Sequence, residues 1–210
     1  MQTVYIMVGV PGAGKTTFAK RYLPHAVYLG TDSIREELYG RELTLRGRKR
    51  VRRILYDRMK ETLAAGDDIV IDCTNITRRR RKMLLDKLPS GTRAVAIYLD
   101  TPLMAALQNN RRRKRHVPMI GICTMYQTLS EPSETEGFAR VYKIHGDMGK
   151  AHFMETLYDD KKKRTEFQYA FLFPVTVPAL FLFPWQRSLF ARYHRIPGAG
   201  CYFLLYFPDN

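Results

Sequence analysis

Gly9-Val10-Pro11-Gly12-Ala13-Gly14-Lys15-Thr16 is the stretch from which the rest of the chain can be read. It follows the apolar run Val4-Tyr5-Ile6-Met7-Val8 and opens into a segment of helical character, residues 15–22. Strand, glycine-rich turn and helix, with the spacing G-x-x-x-x-G-K-T, form the pattern of a phosphate-binding loop. Glycines at 9, 12 and 14 let successive backbone N–H groups converge on phosphate oxygens with no Cβ in the way. Pro11 and Ala13 complete the turn, and the positive end of the next helix faces the anion. In such a loop Lys15 reaches the β- and γ-phosphates, the Thr16 hydroxyl ligates Mg²⁺, and Thr17 continues the cradle. The spacing therefore predicts binding of a nucleoside triphosphate with Mg²⁺.

Further on, apolar runs alternate with helical spacing. Ala26 to Leu29 reads as a second strand and ends at Gly30-Thr31-Asp32, where a helix starts at Ser33. Ligands in open α/β sheets lie outside the carboxyl ends of strands, so Asp32 falls beside the phosphate loop. It also suits an N-terminal helix cap, and the two roles are compatible. Residues 44–65 show helical steps, with Val51, Ile54, Leu55, Met59 and Leu63 on the apolar stripe. Ile69-Val70-Ile71-Asp72 is a buried strand ending in an acid, which suggests a Walker B-type partner for the metal or its waters. Thr77 caps the next helix, expected from Arg78 to Leu88, and Ala94 to Leu99 is a fourth strand. A helix from Leu103 to about Asn109 runs into Arg111-Arg112-Arg113-Lys114-Arg115-His116, suited to a cationic lid over a migrating phosphate. Val117-Pro118 restarts a helix, read with Ile120, Cys123 and Tyr126 or Leu129 inward, and Arg140 to Ile144 is the last strand. Such alternation predicts an α/β, three-layer P-loop NTPase sandwich: a parallel sheet of about five strands, helices on both faces and a basic lid.

This order of parts resembles the P-loop polynucleotide 5'-hydroxyl kinases and the related small AAA-type ATP-binding kinases. The matching pieces are the G-V-P-G-A-G-K-T-T loop, Asp32-x-x-Arg35, Asp72-x-Thr74-Asn75, the basic lid before Val117-Pro118, and Pro132-x-x-x-Glu136-Gly137-Phe138. They cover residues 1–145. The loop alone is common; the combination in this order is far more discriminating. The resemblance implies an ATP-dependent kinase in which Asp32 is the general base toward the acceptor hydroxyl. Arg35 would contact the acceptor's neighbouring phosphate, Asp72 would position the site, and Arg112 would be the lid arginine over the phosphates. A second lid arginine expected four residues earlier is Gln108 here, leaving Arg111 or Arg113 to share that role.

Thirty-five Lys and Arg against 20 Asp and Glu give a net charge of +15, which predicts attraction to polyanions, nucleic acid first. The basic residues cluster at 46–53, 78–82, 111–115 and 161–164. Three distant cysteines, Cys73, Cys123 and Cys201, offer no zinc spacing and suit a reducing cytoplasmic setting. The Met-Gln-Thr start lacks a signal-peptide pattern, and the uncharged run 169–186 is broken by Pro174, Pro178 and Pro184, so no membrane span is expected. Domain organisation reads as a kinase domain over 1–150 and an aromatic-rich extension over 151–210. The extension reads as a packed appendage, as stacking surfaces for single-stranded nucleic acid, or as an ill-ordered or altered-frame terminus; the last fits its aperiodic pattern best.

Three functions remain in view. The first is transfer of the ATP γ-phosphate to the 5'-hydroxyl of RNA or DNA. The second is the same chemistry on a small hydroxylated metabolite or nucleotide sugar, since fold does not fix substrate. The third is a nucleotide-switched binding module with little turnover.

Overall fold

The computed structural model describes residues 1–40, 47–113, 116–145 and Phe153. The basic run at 161–164, the aromatic-rich stretch beyond it, and residues 44–46 of the expected helix lie outside the described residues. The elements, in chain order, are β1 (Thr3–Val8), α1 (Lys15–Tyr22), β2 (Val27–Gly30), α2 (Thr31–Tyr39), α3 (Arg48–Ala64) and β3 (Ile69–Asp72). They continue as α4 (Arg78–Leu85), β4 (Arg93–Leu99), α5 (Leu103–Arg111), α6 (Met119–Gln127), a short 3₁₀ turn (Glu134–Glu136) and β5 (Arg140–Ile144).

The five strands form one all-parallel sheet in the order β2-β3-β1-β4-β5. β1 is central, and all six of its residues are buried. Its side chains alternate between the two faces, as the twofold period of a strand requires. Tyr5 and Met7 join a core with Phe18 of α1, Ala106 of α5 and Ile122 of α6. Val4, Ile6 and Val8 face the other way, onto Ile34 of α2, Met59 of α3 and Leu84 of α4. A sheet covered on both sides explains why its strands read as continuous apolar runs. The expected three-layer α/β sandwich is the observed one.

Local chemistry sets the element ends. Thr77 accepts a hydrogen bond from the Arg80 N–H and caps α4. Gly47 and Gly40, both left-handed, bound α3 and α2 at the ends facing each other in sequence. Two sequence expectations change. Asp32 is not a helix cap: α2 begins at Thr31 after Gly30, with no side-chain capping bond, and Asp32 sits inside its first turn. In α6 the inward residue is Ile122, with Met125 and Leu129 packed beside it, whereas Ile120 is 78% exposed and Tyr126 is outward too. The phase of α6 is fixed upstream. Asn110 at the end of α5 grips Val117 through both its amide N–H (2.9 Å) and its carbonyl (3.1 Å), burying Val117 and orienting the helix that follows.

In the basic run 78–82, Arg78, Arg79, Arg80 and Lys82 are exposed, but Arg81 is not. Arg81 is fully buried, and its guanidinium forks onto Glu136 at 2.7 and 2.8 Å. It further donates to the carbonyls of Asn75 (3.1 Å) and Ser130 (2.8 Å). Glu136 and Phe138 of the Pro132–Phe138 motif are therefore structural: one pairs with Arg81, the other fills the second core. Burial alone would raise the Glu136 carboxyl, but the Arg81 hydrogen bonds and charge outweigh it and hold it below the usual carboxylate range. Phe153, three residues past the domain boundary expected at 150, is buried in the first core against Phe18 (5.2 Å between rings) and Tyr142 (5.0 Å).

Among the described residues no helix is long and apolar enough to cross a membrane.

Candidate active site

The loop from Gly9 to Gly14 turns between the end of β1 and the start of α1. Gly12 has φ +85°, and a Cβ there would sit 2.1 Å from the Ala106 carbonyl oxygen, so only glycine fits against α5. Gly14, left-handed at φ +88°, forms the N-terminal boundary of α1 with no side-chain cap. The first N–H groups of α1 are thereby left to a ligand anion. Three ties hold the loop from outside. Gly9 N–H donates to the Thr74 carbonyl (3.1 Å), the Thr101 hydroxyl to Ala13 O (3.2 Å), and the Asn109 amide to Gly12 O (3.1 Å).

Lys15 lies buried across this loop, donating to the carbonyls of Gly9 and Val10 at 2.9 Å each. Burial pushes its ammonium below the ordinary lysine value; the Asp72 carboxylate opposes that shift, and the Arg113 charge adds to it. Asp32 also acts on Lys15. The charges of Asp72, Asp32 and Arg113 thus all act on this one lysine. All three arginines at the end of α5, Arg111, Arg112 and Arg113, are exposed, and the charge of Arg113 is the one that registers at Lys15.

Asp72 ends β3 and pairs in register with Gly30, the last residue of β2, so Asp72 and the first turn of α2, which carries Asp32, open on the same edge. The Thr16 hydroxyl donates to Asp72 Oδ2 at 2.5 Å, and the Tyr28 hydroxyl donates to the same oxygen. Burial first, then the neighbouring Asp72, pushes the Tyr28 phenol well up, so it stays a donor. Asp32 Oδ1 accepts from Arg35 Nη1 at 2.7 Å, and its side chain is 47% exposed. Arg35 Nε is buried without a hydrogen-bond partner among the described residues. Cys73 Sγ lies 3.5 Å from Thr31 Oγ1, and burial raises its thiol, which keeps the sulfur unreactive.

A cleft of about 430 Å³ adjoins the loop. Phe18, Leu99 and Ile144 form its apolar floor, and Thr17, Arg21, Asp100 and His145 contribute polar groups at its rim. Asp100 is itself held by the Tyr98 hydroxyl (3.2 Å) and by Lys143 (3.7 Å) and His145 (3.4 Å).

Among the described residues no three His, Cys, Asp or Glu side chains cluster tightly enough to hold a metal alone. The Thr16–Asp72 pair instead offers two hard oxygens side by side. Mg²⁺ is commonly held in that way, with few protein ligands and the rest from phosphate and water. The residues fit the ion.

The structure thus brings Lys15, Thr16, Asp32, Arg35 and Asp72 to one edge of the sheet, with Arg111, Arg112 and Arg113 all exposed at the end of α5. Tyr28, Thr101 and Asn109 were not singled out from sequence. Each acts through a tertiary contact with Asp72 or the loop, and no local motif marks them.

A family model described as an AAA domain matches residues 4–132. No curated protein matches the chain. Among solved structures, a chain of the Pnkp1/Rnl/Hen1 RNA repair complex is similar at a TM-score of 0.57 and 18% identity, over 61% of this chain and 44% of that one. This chain therefore spans less than half the length of that relative. A sugar kinase from Janibacter sp. HTCC2649 is similar at a TM-score of 0.55 and 22% identity, over 75% of this chain and 94% of that one. These likenesses establish a P-loop kinase fold. Since the family model spans well over half of the sequence, from the first strand to just beyond α6, the chain belongs to the AAA-domain family.

Proposed function

We propose that the protein is an ATP-dependent kinase that transfers the γ-phosphate to the 5'-hydroxyl of a nucleic acid end. The observation that carries this reading is the convergence at one sheet edge of Lys15, the Thr16–Asp72 pair and the Asp32–Arg35 pair. Phosphoryl transfer needs a base, a cationic cradle and a metal seat rather than a covalent nucleophile, and these residues supply each.

In this reading the α1 N-terminus and the loop amides bind the β- and γ-phosphates, and Lys15 turns from the Gly9 and Val10 carbonyls onto them. Base and ribose enter the adjoining cleft. Thr16 and Asp72 would hold Mg²⁺, which when bound would supply charge neutralisation for the phosphates. Asp32 accepts the proton of the acceptor hydroxyl, its carboxylate oriented by Arg35. Arg35 fixes that carboxylate and offers its unpartnered Nε toward an acceptor phosphate. Arg113, and Arg112 beside it, neutralise the transferring group from the lid side.

The polynucleotide acceptor is favoured by the net charge of +15 and by the likeness to a chain of an RNA repair complex. A small hydroxylated acceptor is the second reading, supported by the near full-length match to a sugar kinase. Incubation with γ-labelled ATP, Mg²⁺ and either a 5'-hydroxyl oligonucleotide or a panel of sugars separates the two. Label on the oligonucleotide, and none on its 5'-phosphorylated counterpart, supports the first. Label on a sugar alone sinks it.

A further inference from the structure

On the second face of the sheet α3 and the end of α4 enclose an open groove of about 460 Å³. Lys49, Arg52, Arg53 and Lys60 line it from α3, and Lys87 from the turn after α4. Five cations thus share the groove with one acid, Asp57, which pairs at 3.9 Å with Arg53. Among the described residues Lys49, Arg52, Lys60 and Lys87 make no ion pair, although all four are exposed. Elsewhere exposed cations of this chain do find acids, as Arg58 does with Glu37 and Lys82 with Asp86. Unpaired like charges facing one groove repel each other in the folded state, and a polyanion relieves that repulsion.

The arrangement is linear as well as basic. Positions 49, 52, 53, 56 and 60 recur at helical steps, so they form one stripe along α3. At the helical rise, Lys49 and Lys60 are about 16 Å apart, a length that spans about five phosphates of a strand in a stacked, helical conformation and fewer of an extended one. The stripe also has a direction. The C-terminal end of α3 connects through four residues to the start of β3, so the Lys60 end lies toward the amino edge of the sheet. The Lys49 end therefore points toward the carboxyl edge, where Asp32 and Asp72 sit. Tyr56 stands half-buried in the middle of the stripe, with Arg52 close enough to pull against the upward push of burial on its phenol. An aromatic ring among cations is what sequence-tolerant binding of single strands uses: stacking for bases, charge for phosphates.

We propose that this groove on α3 is a binding track for the body of a single-stranded nucleic acid whose 5' end is presented at the catalytic edge. The assignment rests on the polynucleotide reading above for the role of the strand, but its test is binding and needs no turnover. An acidic protein segment lacks the regular phosphate spacing and gains little from Tyr56, so it is the alternative to be excluded.

The experiment uses the full chain and a fluorescein-labelled, 5'-phosphorylated single strand of about 12 nucleotides, which is long enough to run the whole stripe and reach beyond it but cannot accept phosphate. Anisotropy is read across a salt series for wild type, R52Q/K60Q, Tyr56→Ala and Tyr56→Phe, with melting temperature and ATP affinity as controls for folding. The double variant should bind at least about tenfold more weakly, with a log–log salt slope shallower by about 1.4, since two phosphate contacts are lost. Tyr56→Ala should weaken binding roughly tenfold while Tyr56→Phe keeps it. Unchanged affinity in R52Q/K60Q, or displacement of the strand by polyglutamate as readily as by unlabelled oligonucleotide, would overturn the proposal. Binding that behaves as expected while no label ever moves to a 5'-hydroxyl leaves the groove assigned and removes the kinase acceptor. Transfer to a short acceptor with no groove dependence for long strands removes the groove and leaves the kinase.

Discussion

Replacing Glu136 by Gln should be among the most damaging single changes outside the phosphate loop. Arg81 and Glu136 are 0% and 4% exposed, so neutralising the acid leaves a buried guanidinium without its counter-charge. Removing one partner of a buried pair costs about 3–5 kcal/mol. For a chain of this size that corresponds to a fall in melting temperature of roughly 6–20 °C. The exposed Lys82–Asp86 pair on the same helix is the internal control; its loss should cost under about 1 kcal/mol. Arg81 also holds the Asn75 carbonyl, and the Asn75 amide donates to Met7 O at the end of β1, so ATP affinity should fall together with stability. The pair carries a pH signature. Because the Glu136 carboxyl is held below the ordinary range, its contribution is complete above the unfolded value of about 4.3 and is lost as pH falls below it. Melting curves of wild type and Glu136→Gln between neutral pH and pH 3 should therefore converge at the acid end. A variant melting within about 2 °C of wild type at neutral pH would refute the assignment of Arg81 as a buried strut.

Three further outcomes follow from the site and core. Gly12→Ala should abolish ATP binding in calorimetry, because the new methyl meets the Ala106 carbonyl at 2.1 Å and the backbone is held at φ +85°. Tyr28→Phe removes one of the two donors to Asp72 Oδ2 and should raise the Mg²⁺ concentration needed for half-maximal activity about tenfold, with little change in melting temperature. ATP affinity should decline with rising pH sooner than an exposed lysine would allow, because the buried Lys15 must then take up a proton on binding; a titration from neutral to alkaline pH, with Lys15→Met as control, reads this directly.

How much of this was legible beforehand differs by residue. The loop, the end of β2 just before Asp32, the end of β3 at Asp72, and the layer order follow from local punctuation. Apolar runs of four to seven residues between glycine turns and helices leave little freedom for a parallel sheet. Arg81 could not be told from Arg78, Arg79 or Arg80, because four adjacent arginines carry no periodicity and burial is decided by Glu136, 55 residues away. The phase of α6 was equally hidden. Ile120, Cys123 and Tyr126 are as helically spaced as Ile122, Met125 and Leu129, and the choice is made by the grip of Asn110 on Val117. Asp32 has the right residue type for a cap, but α2 starts one residue before it, which turns its carboxylate toward Arg35 instead. Phe153 lies past the end of any motif, and its place in the core comes from two distant rings.

In the proposed reaction Asp32 serves chemistry and not nucleotide binding. Single-turnover transfer from ATP to a 5'-hydroxyl oligonucleotide, measured beside ATP affinity for wild type and Asp32→Asn, tests it most directly. The account predicts a rate lower by about 10²–10⁴-fold in the variant, with ATP affinity unchanged within about twofold. A variant that transfers phosphate at the wild-type rate, or that loses ATP binding in proportion to its activity, would contradict it.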